Sequence, residues 1–251
     1  MPQSINRKQR RFEAAIDWLR KQGQKVAAKR SDREAKEGVV IAQTTADHTS
    51  GIVLCISCET DFVSKNADFV AFAQSIADAA IANNVKTAEE LNGVTVNGSK
   101  VEELINDKLA AIGEKIAISR FERVEAPYVA SYIHGANRMG VLVSMTKEAA
   151  EAGKDVAMQI AAMNPLAVDE TSISQETKDR EKAIAIEMIK AEGKPAEMVE
   201  KIADGKMNKF FKDNTLMAQA FVKDNSKSVA DYLKSVDADL KVTDFRRVAL
   251  G

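Results

Sequence analysis

Two cysteines, two histidines and one acidic-aromatic run are the residues of this chain whose types and spacing could do chemistry. Cys55 and Cys58 form a C-x-x-C, the spacing of a metal half-site or a redox pair. A structural zinc site needs four ligands, and with no further cysteine and only His48 and His134 to add, the set stays short. A thioredoxin-like pair needs its first cysteine at a helix N-terminus. Cys55 instead lies inside the apolar run Gly51 to Cys58, so both thiols read as reduced strand residues. No metal or cofactor is expected. His134 could act as a base, but a lone histidine in a turn more often makes surface or core hydrogen bonds. The chain has neither G-x-S-x-G nor G-x-x-x-x-G-K, so an enzyme reading lacks a nucleophile elbow and a phosphate cradle.

The third candidate is the run Glu59-Thr60-Asp61-Phe62-Val63-Ser64-Lys65-Asn66-Ala67-Asp68-Phe69. Before it, Gly51 to Cys58 is apolar and β-branched and follows the turn signal Asp47-His48-Thr49-Ser50-Gly51, which predicts a strand. After it, Phe69, Val70, Phe72, Ile76 and Ile81 recur at near-helical spacing, which predicts a helix from Ala67 to Asn83. Thr60 to Val63 is therefore the crossing, where side chains are presented to a partner. Pattern alone favours a plainer role, with Phe62 folded back into the local core and Asp61 helping to start the helix.

Elements of the same kind recur along the chain. Val39, Ile41 and Thr44 alternate before the Gly51 strand. The order strand, turn, strand, helix then returns as Pro127 to His134, Gly135 to Gly140, Val141 to Met145 and a helix from about Ala149 to Met163. A period of about 90 residues is too long for a solenoid and predicts two related α+β modules. From Gln175 to Asn214 a helical pattern broken at Gly193-Lys194-Pro195 predicts a helical hairpin. Ile184, Ile186, Met188 and Ile189 are expected on one arm of its seam, with Met198, Ile202 and Met207 on the other. A closing strand is expected over Asp239 to Ala249. At the other end, Glu13 to Gln22 reads as a short helix stopped by Gly23, and a second, basic helix runs to about Lys36.

With 251 residues, 45% apolar and 29% charged, the chain can hold more than one compact unit. No apolar run approaches membrane-spanning length and the start lacks a secretory stretch, so a cytoplasmic protein without membrane contact is expected. A net charge of −1 and few aromatics argue against direct nucleic-acid binding.

The Thr60 run resembles the T-D-F-V-x-x-N-x-x-F motif of bacterial elongation factor Ts, the family of nucleotide exchange factors for elongation factor Tu. Ser131-Tyr132-Ile133-His134-Gly135-Ala136-Asn137-Arg138-Met139-Gly140-Val141-Leu142-Val143 is similar to the family's S-Y-x-H-G-x-R-x-G-V-L-V segment, with a small variation before the arginine. Asp155 to Pro165 resembles its A-M-x-V/I-A-A-x-x-P helix end. The likeness runs from about Phe12 to the C-terminus. It implies an α+β fold: an incomplete, small UBA-like helical domain over residues 1–36, a first core module over 37–126 with the Thr60 to Val63 loop, and a second over 127–251 with the hairpin at 175–214.

The resemblance also implies a function that needs no catalytic group. An exchange factor binds the nucleotide-free form of a GTPase better than the nucleotide-bound form. Thr60, Asp61, Phe62 and Val63 would enter the GTPase domain of elongation factor Tu and dislocate its Mg²⁺, with Phe62 as the wedge. His134 and Gly135 would make further contact. The second module has Met145-Thr146-Lys147-Glu148 where the first has its motif, so its role is expected to differ. Residues 1–11 stand where the family has T-G-A-G-x-x-D-C-K-K-A-L-x-E-A-x-G-D. Read one base later, suitable codons for them encode a Lys-Ala-Leu-Thr-Glu string close to that segment, so a base lost just before Phe12 is expected. The alternative that follows is a protein that binds elongation factor Tu but exchanges poorly.

Overall fold

The structure, a computed structural model, describes residues 32–251 together with Arg11, Ala14 and Arg30. Apart from Ala14, the expected helix over Glu13 to Gln22 lies outside the described residues, as does most of the second, and residues 34–36 are not helical. Strands β1 (Glu37–Thr44) and β2 (Ser50–Cys58) form an antiparallel hairpin, and β5 (Ala117–Glu125) pairs with the other edge of β2. All nine residues of β2 are buried, as its central place requires. The period of two sorts its side chains. Ile52, Leu54, Ile56 and Cys58 face helix α2 (Ala67–Ala82), while Val53 and Cys55 face the other way. Each large aliphatic side chain buried like this contributes about 1.5–3 kcal/mol. Cys55 and Cys58 thus point to opposite faces of one strand and stay free, as their place in the apolar run predicts.

A second sheet repeats the plan. β6 (Tyr128–His134) and β7 (Met139–Met145) form the hairpin, and β10 (Val242–Ala249) takes the place of β5 at the far edge of the central strand. Val141, Val143 and Met145 face helix α5 (Ala150–Met163), and Leu142 faces the first sheet. The two sheets pack face to face through Val40, Ala42, Val53, Val129, Leu142 and Val248, giving four layers with helices outside. Gly51 and Gly140, one repeat period apart, make that approach possible. A Cβ on Gly51 would lie 2.9 Å from Val129 and one on Gly140 2.9 Å from Val40.

The tip of the second hairpin also seals the first sheet's edge. Asn137 accepts from the Val40 backbone N–H at 2.7 Å through its carbonyl and donates its side-chain amide to the Val40 carbonyl at 3.1 Å.

Between α2 and β5 the chain forms α3 (Ala88–Gly93), the two-residue strands β3 (Thr95–Val96) and β4 (Ser99–Lys100), and α4 (Val101–Ile112). Leu91, Val101 and Leu109 from this stretch extend the α2 core. The helical hairpin is present as α6 (Gln175–Ala191) and α7 (Ala196–Asn214). Its ends are tied where Leu166 N–H donates to Asn214 and Leu216 N–H to Ala167, so the hairpin leaves and rejoins the second sheet's layer at one place. The expected seam is corrected in part. Ile189, Val199, Ala203 and Met207 are buried, whereas Ile184, Met188 and Met198 are exposed, because a two-helix contact covers only a narrow stripe of each helix. After β8 (Ala220–Phe221) and β9 (Asp224–Ser228), α8 (Val229–Val236) begins at a capping box made by Ser228 and Asp231 and leads to β10.

Candidate functional site

The crossing after β2 is a single helical turn, α1 (Asp61–Ser64), where a loop was expected. Four residues cannot sustain a helix alone, so the turn depends on what holds its ends. At its far end, Asn66 caps α2 by accepting from Asp68 N–H at 2.8 Å and Phe69 N–H at 3.3 Å, and Phe69 is buried beneath. At its near end, Thr60 stands at the N-cap in an extended conformation, yet its hydroxyl makes no cap bond. It donates instead to Glu114 Oε1 at 2.7 Å, while the backbone N–H groups of Glu59 and Thr60 donate to Glu114 Oε2 at 3.1 and 3.0 Å.

The brace is reciprocal. Glu59 Oε1 accepts from the Lys115 N–H at 2.7 Å and from Arg30 at 2.7 Å, and Glu59 Oε2 accepts from Arg33 at 3.2 Å. These donors, the Lys115 N–H foremost and then Arg30, hold the Glu59 carboxyl at about 2. Cys58, just before, is buried with its thiol pushed up to about 12, first by burial and then by the nearby charges of Glu114 and Glu37, and so is not a reactive nucleophile.

On this base Phe62 is 85% exposed. The expectation that it folds into the local core is overturned: the one-turn helix directs Val63 against the α2 core and leaves Phe62 outside. Phe62, Val63 and Phe69 share a cavity of about 310 Å³ with Lys108 and Ile112 from the end of α4. Asp61 is also at the surface, where Lys65 Nζ donates to it at 2.7 Å and lowers its carboxyl pKa. Sequence reasoning missed Ile112, Lys108 and Glu114. The first two sit on an amphipathic helix ended by Gly113 in the left-handed region, a readable signal; Glu114 reaches Thr60 across 54 positions and leaves none.

His134 and Gly135 lie at the exposed tip of the β6–β7 hairpin. His134 Nδ1 is 3.0 Å from the Tyr132 hydroxyl, and Gly135, Ala136 and Asn137 all take positive φ to make the turn. Arg138, next along, donates to Glu37 at 2.8 Å, and Glu37 is the register partner of Cys58. The hairpin tip and the Thr60 turn are therefore at the same end of the two sheets. Among the described residues no cluster of histidine, cysteine or acidic side chains suits a metal ion, and no helix is long and apolar enough to cross a membrane.

A family profile described as "Elongation factor TS" matches residues 59–251, beginning at the residue that braces the Phe62 turn. The chain belongs to the elongation factor Ts family. An elongation factor Ts of Christiangramia forsetii is 50% identical over 243 residues, covering 96% of this chain and 88% of that protein. The corresponding protein of Flavobacterium psychrophilum is 47% identical with the same coverage. That of the more distant Clostridium perfringens is 41% identical over 252 residues, covering 96% of this chain and 83% of its own. Membership makes this chain a translation factor of the elongation step, and the profile's span takes in β5 of the first sheet, the whole second sheet and the hairpin between α5 and β10.

Proposed function

We propose that this chain is the guanine nucleotide exchange factor for elongation factor Tu, and that Thr60, Asp61, Phe62 and Val63 are the residues that open the nucleotide site. One observation carries the reading: in an elongation factor Ts relative, an aromatic ring stands 85% exposed on a braced turn whose neighbours are packed. An exposed Phe on a rigid support costs little to immobilise and fills a partner's apolar pocket, as an interface anchor does. Asp61 beside it brings a carboxylate to the same place. Mg²⁺ holds the phosphates of a bound nucleotide, in GDP the β-phosphate, so a wedge that shifts its ligands loosens GDP.

Reciprocity completes the cycle. What weakens GDP on the GTPase weakens the exchange factor when GTP returns, so the complex dissociates without any chemistry by this chain. His134 and Gly135, at the same end of the sheets, supply a second point of contact with elongation factor Tu. The test is release of a fluorescent GDP from elongation factor Tu as this chain is added. Acceleration that rises with concentration and saturates is expected; binding without acceleration would overturn the exchange reading and leave a partner-binding protein with impaired exchange, and the absence of both would overturn the partner as well.

A further inference from the structure

We propose that Glu114 is the positioning residue of the Phe62 wedge. The inference rests on the exchange reading for its functional arm and on the geometry of the junction for the rest. Glu114 lies just past α4, where Gly113 takes φ 78° and turns the chain toward β5. Its one carboxylate accepts the Glu59 N–H, the Thr60 N–H and the Thr60 hydroxyl, at 3.1, 3.0 and 2.7 Å. Two are backbone donors left over where the strand turns into a helix and the third is the N-cap hydroxyl, all taken by one carboxylate.

The consequence is directional. Thr60 would ordinarily turn its hydroxyl inward to cap α1; drawn to Glu114, it leaves the start of α1 held from below, through the backbone that carries Asp61 and Phe62. Glu59 returns the contact by accepting from Lys115 N–H at 2.7 Å, so the β2–α1 junction and the α4–β5 junction are cross-braced by two adjacent exchanges. Ile112, two residues before Glu114, lines the cavity beneath Phe62. Wedge and cavity wall therefore move as one body. A ring that must enter a partner in a fixed direction gains from such a support, because a rigid anchor pays no ordering cost on binding.

Glu114 touches neither nucleotide nor partner in this account, so its effect must pass through Phe62. Four proteins test that: the parent, Glu114→Ala, Phe62→Ala and the double variant, with Glu114→Gln as the conservative replacement. Two measurements are made on each, GDP release from elongation factor Tu and hydrogen exchange of the Glu59 and Thr60 amides in the free protein. Glu114→Ala is expected to lower the saturating exchange rate roughly ten-fold, the scale of a lost charge-assisted hydrogen bond. It should expose both amides while the global unfolding midpoint changes little. Glu114→Gln keeps one acceptor oxygen and should fall between. In the Phe62→Ala background, Glu114→Ala should cost almost nothing more.

A Glu114→Ala protein that exchanges like the parent overturns the proposal, and so do losses at Glu114 and Phe62 that simply multiply. If the parent itself fails to release GDP, the exchange reading falls, and the amides judge the brace alone: unchanged protection in Glu114→Ala overturns it, lost protection confined to residues 59–60 upholds it.

Discussion

Lys65 Nζ lies 2.7 Å from Asp61 Oδ2, one helical turn further along the junction that carries Phe62. The pair is at the surface, so its contribution to folding is small, but it favours the ionised acid: Lys65 lowers the Asp61 carboxyl pKa first by its hydrogen bond and then by its charge. Any partner that takes Asp61 must first displace Lys65. Lys65→Met is expected to move the Asp61 titration back up toward the ordinary aspartate range, read by carbon-13 NMR of the carboxyl. Stability should change by less than about 0.5 kcal/mol in urea unfolding.

Phe62→Ala separates function from folding. Because the ring is 85% exposed, its removal takes almost nothing from the core. Nucleotide exchange should fall by an amount equivalent to roughly 2–4 kcal/mol of lost interaction with elongation factor Tu. Side-by-side unfolding curves and GDP-release rates check both halves; a mutant that exchanges like its parent would sink the assignment of the wedge.

Acid should loosen the brace through Glu59. Its folded carboxyl sits at about 2 against an ordinary 4.5, held by the Lys115 N–H and then by Arg30. A depressed carboxyl contributes stability that is fully present above the unfolded value and is lost as pH falls through the folded one. Glu59→Gln should therefore be less stable than the parent at pH 7, with the gap closing between about pH 4.5 and pH 2. Urea unfolding of both proteins at three pH values in and above that window reads it directly, and a gap that holds constant into acid would remove Glu59 from the brace.

Gly140→Ala addresses the contact between the sheets. The new methyl would meet Val40 Cγ1 at 2.9 Å and the Ala42 and Val53 carbons at 3.0 Å, in a layer packed from both sides. Overpacking of that kind costs about 1–3 kcal/mol. The expected signature is a lower urea midpoint with an unchanged slope; a variant as stable as the parent would mean that the sheets separate at no cost.

Much of this architecture was legible in advance, and the reason is periodicity. Val39 and Ile41 alternate and Gly51 to Cys58 reads as an apolar, β-branched run between turn signals, Phe69, Val70, Phe72, Ile76 and Ile81 recur at near-helical spacing, and in the folded strands successive side chains part to the two faces of each sheet. The C-x-x-C resolved itself by the same rule, since an odd spacing in a strand parts two thiols to opposite faces. Periodicity gave less guidance in the helical hairpin, where Ile184, Met188 and Met198 fit a helical stripe as well as their buried neighbours do. Only the position of the partner helix separates them.

Phe62 shows the opposite failure. Local pattern assigns a Phe between strand and helix to the core, and only the likeness to a longer motif placed it outside. The turn that exposes it hangs on Glu114, a contact between residues 54 positions apart that no local spacing announces.

The bonds from Asn137 to Val40 bear on how this protein behaves at high concentration. β1 is the outermost strand of its sheet, and an open strand invites pairing with another chain. Here the inviting N–H and carbonyl of Val40 are already occupied by a hairpin tip of the same molecule. A second copy seeking to extend the sheet would have to evict Asn137 first, so the fold carries its own guard against edge-to-edge aggregation.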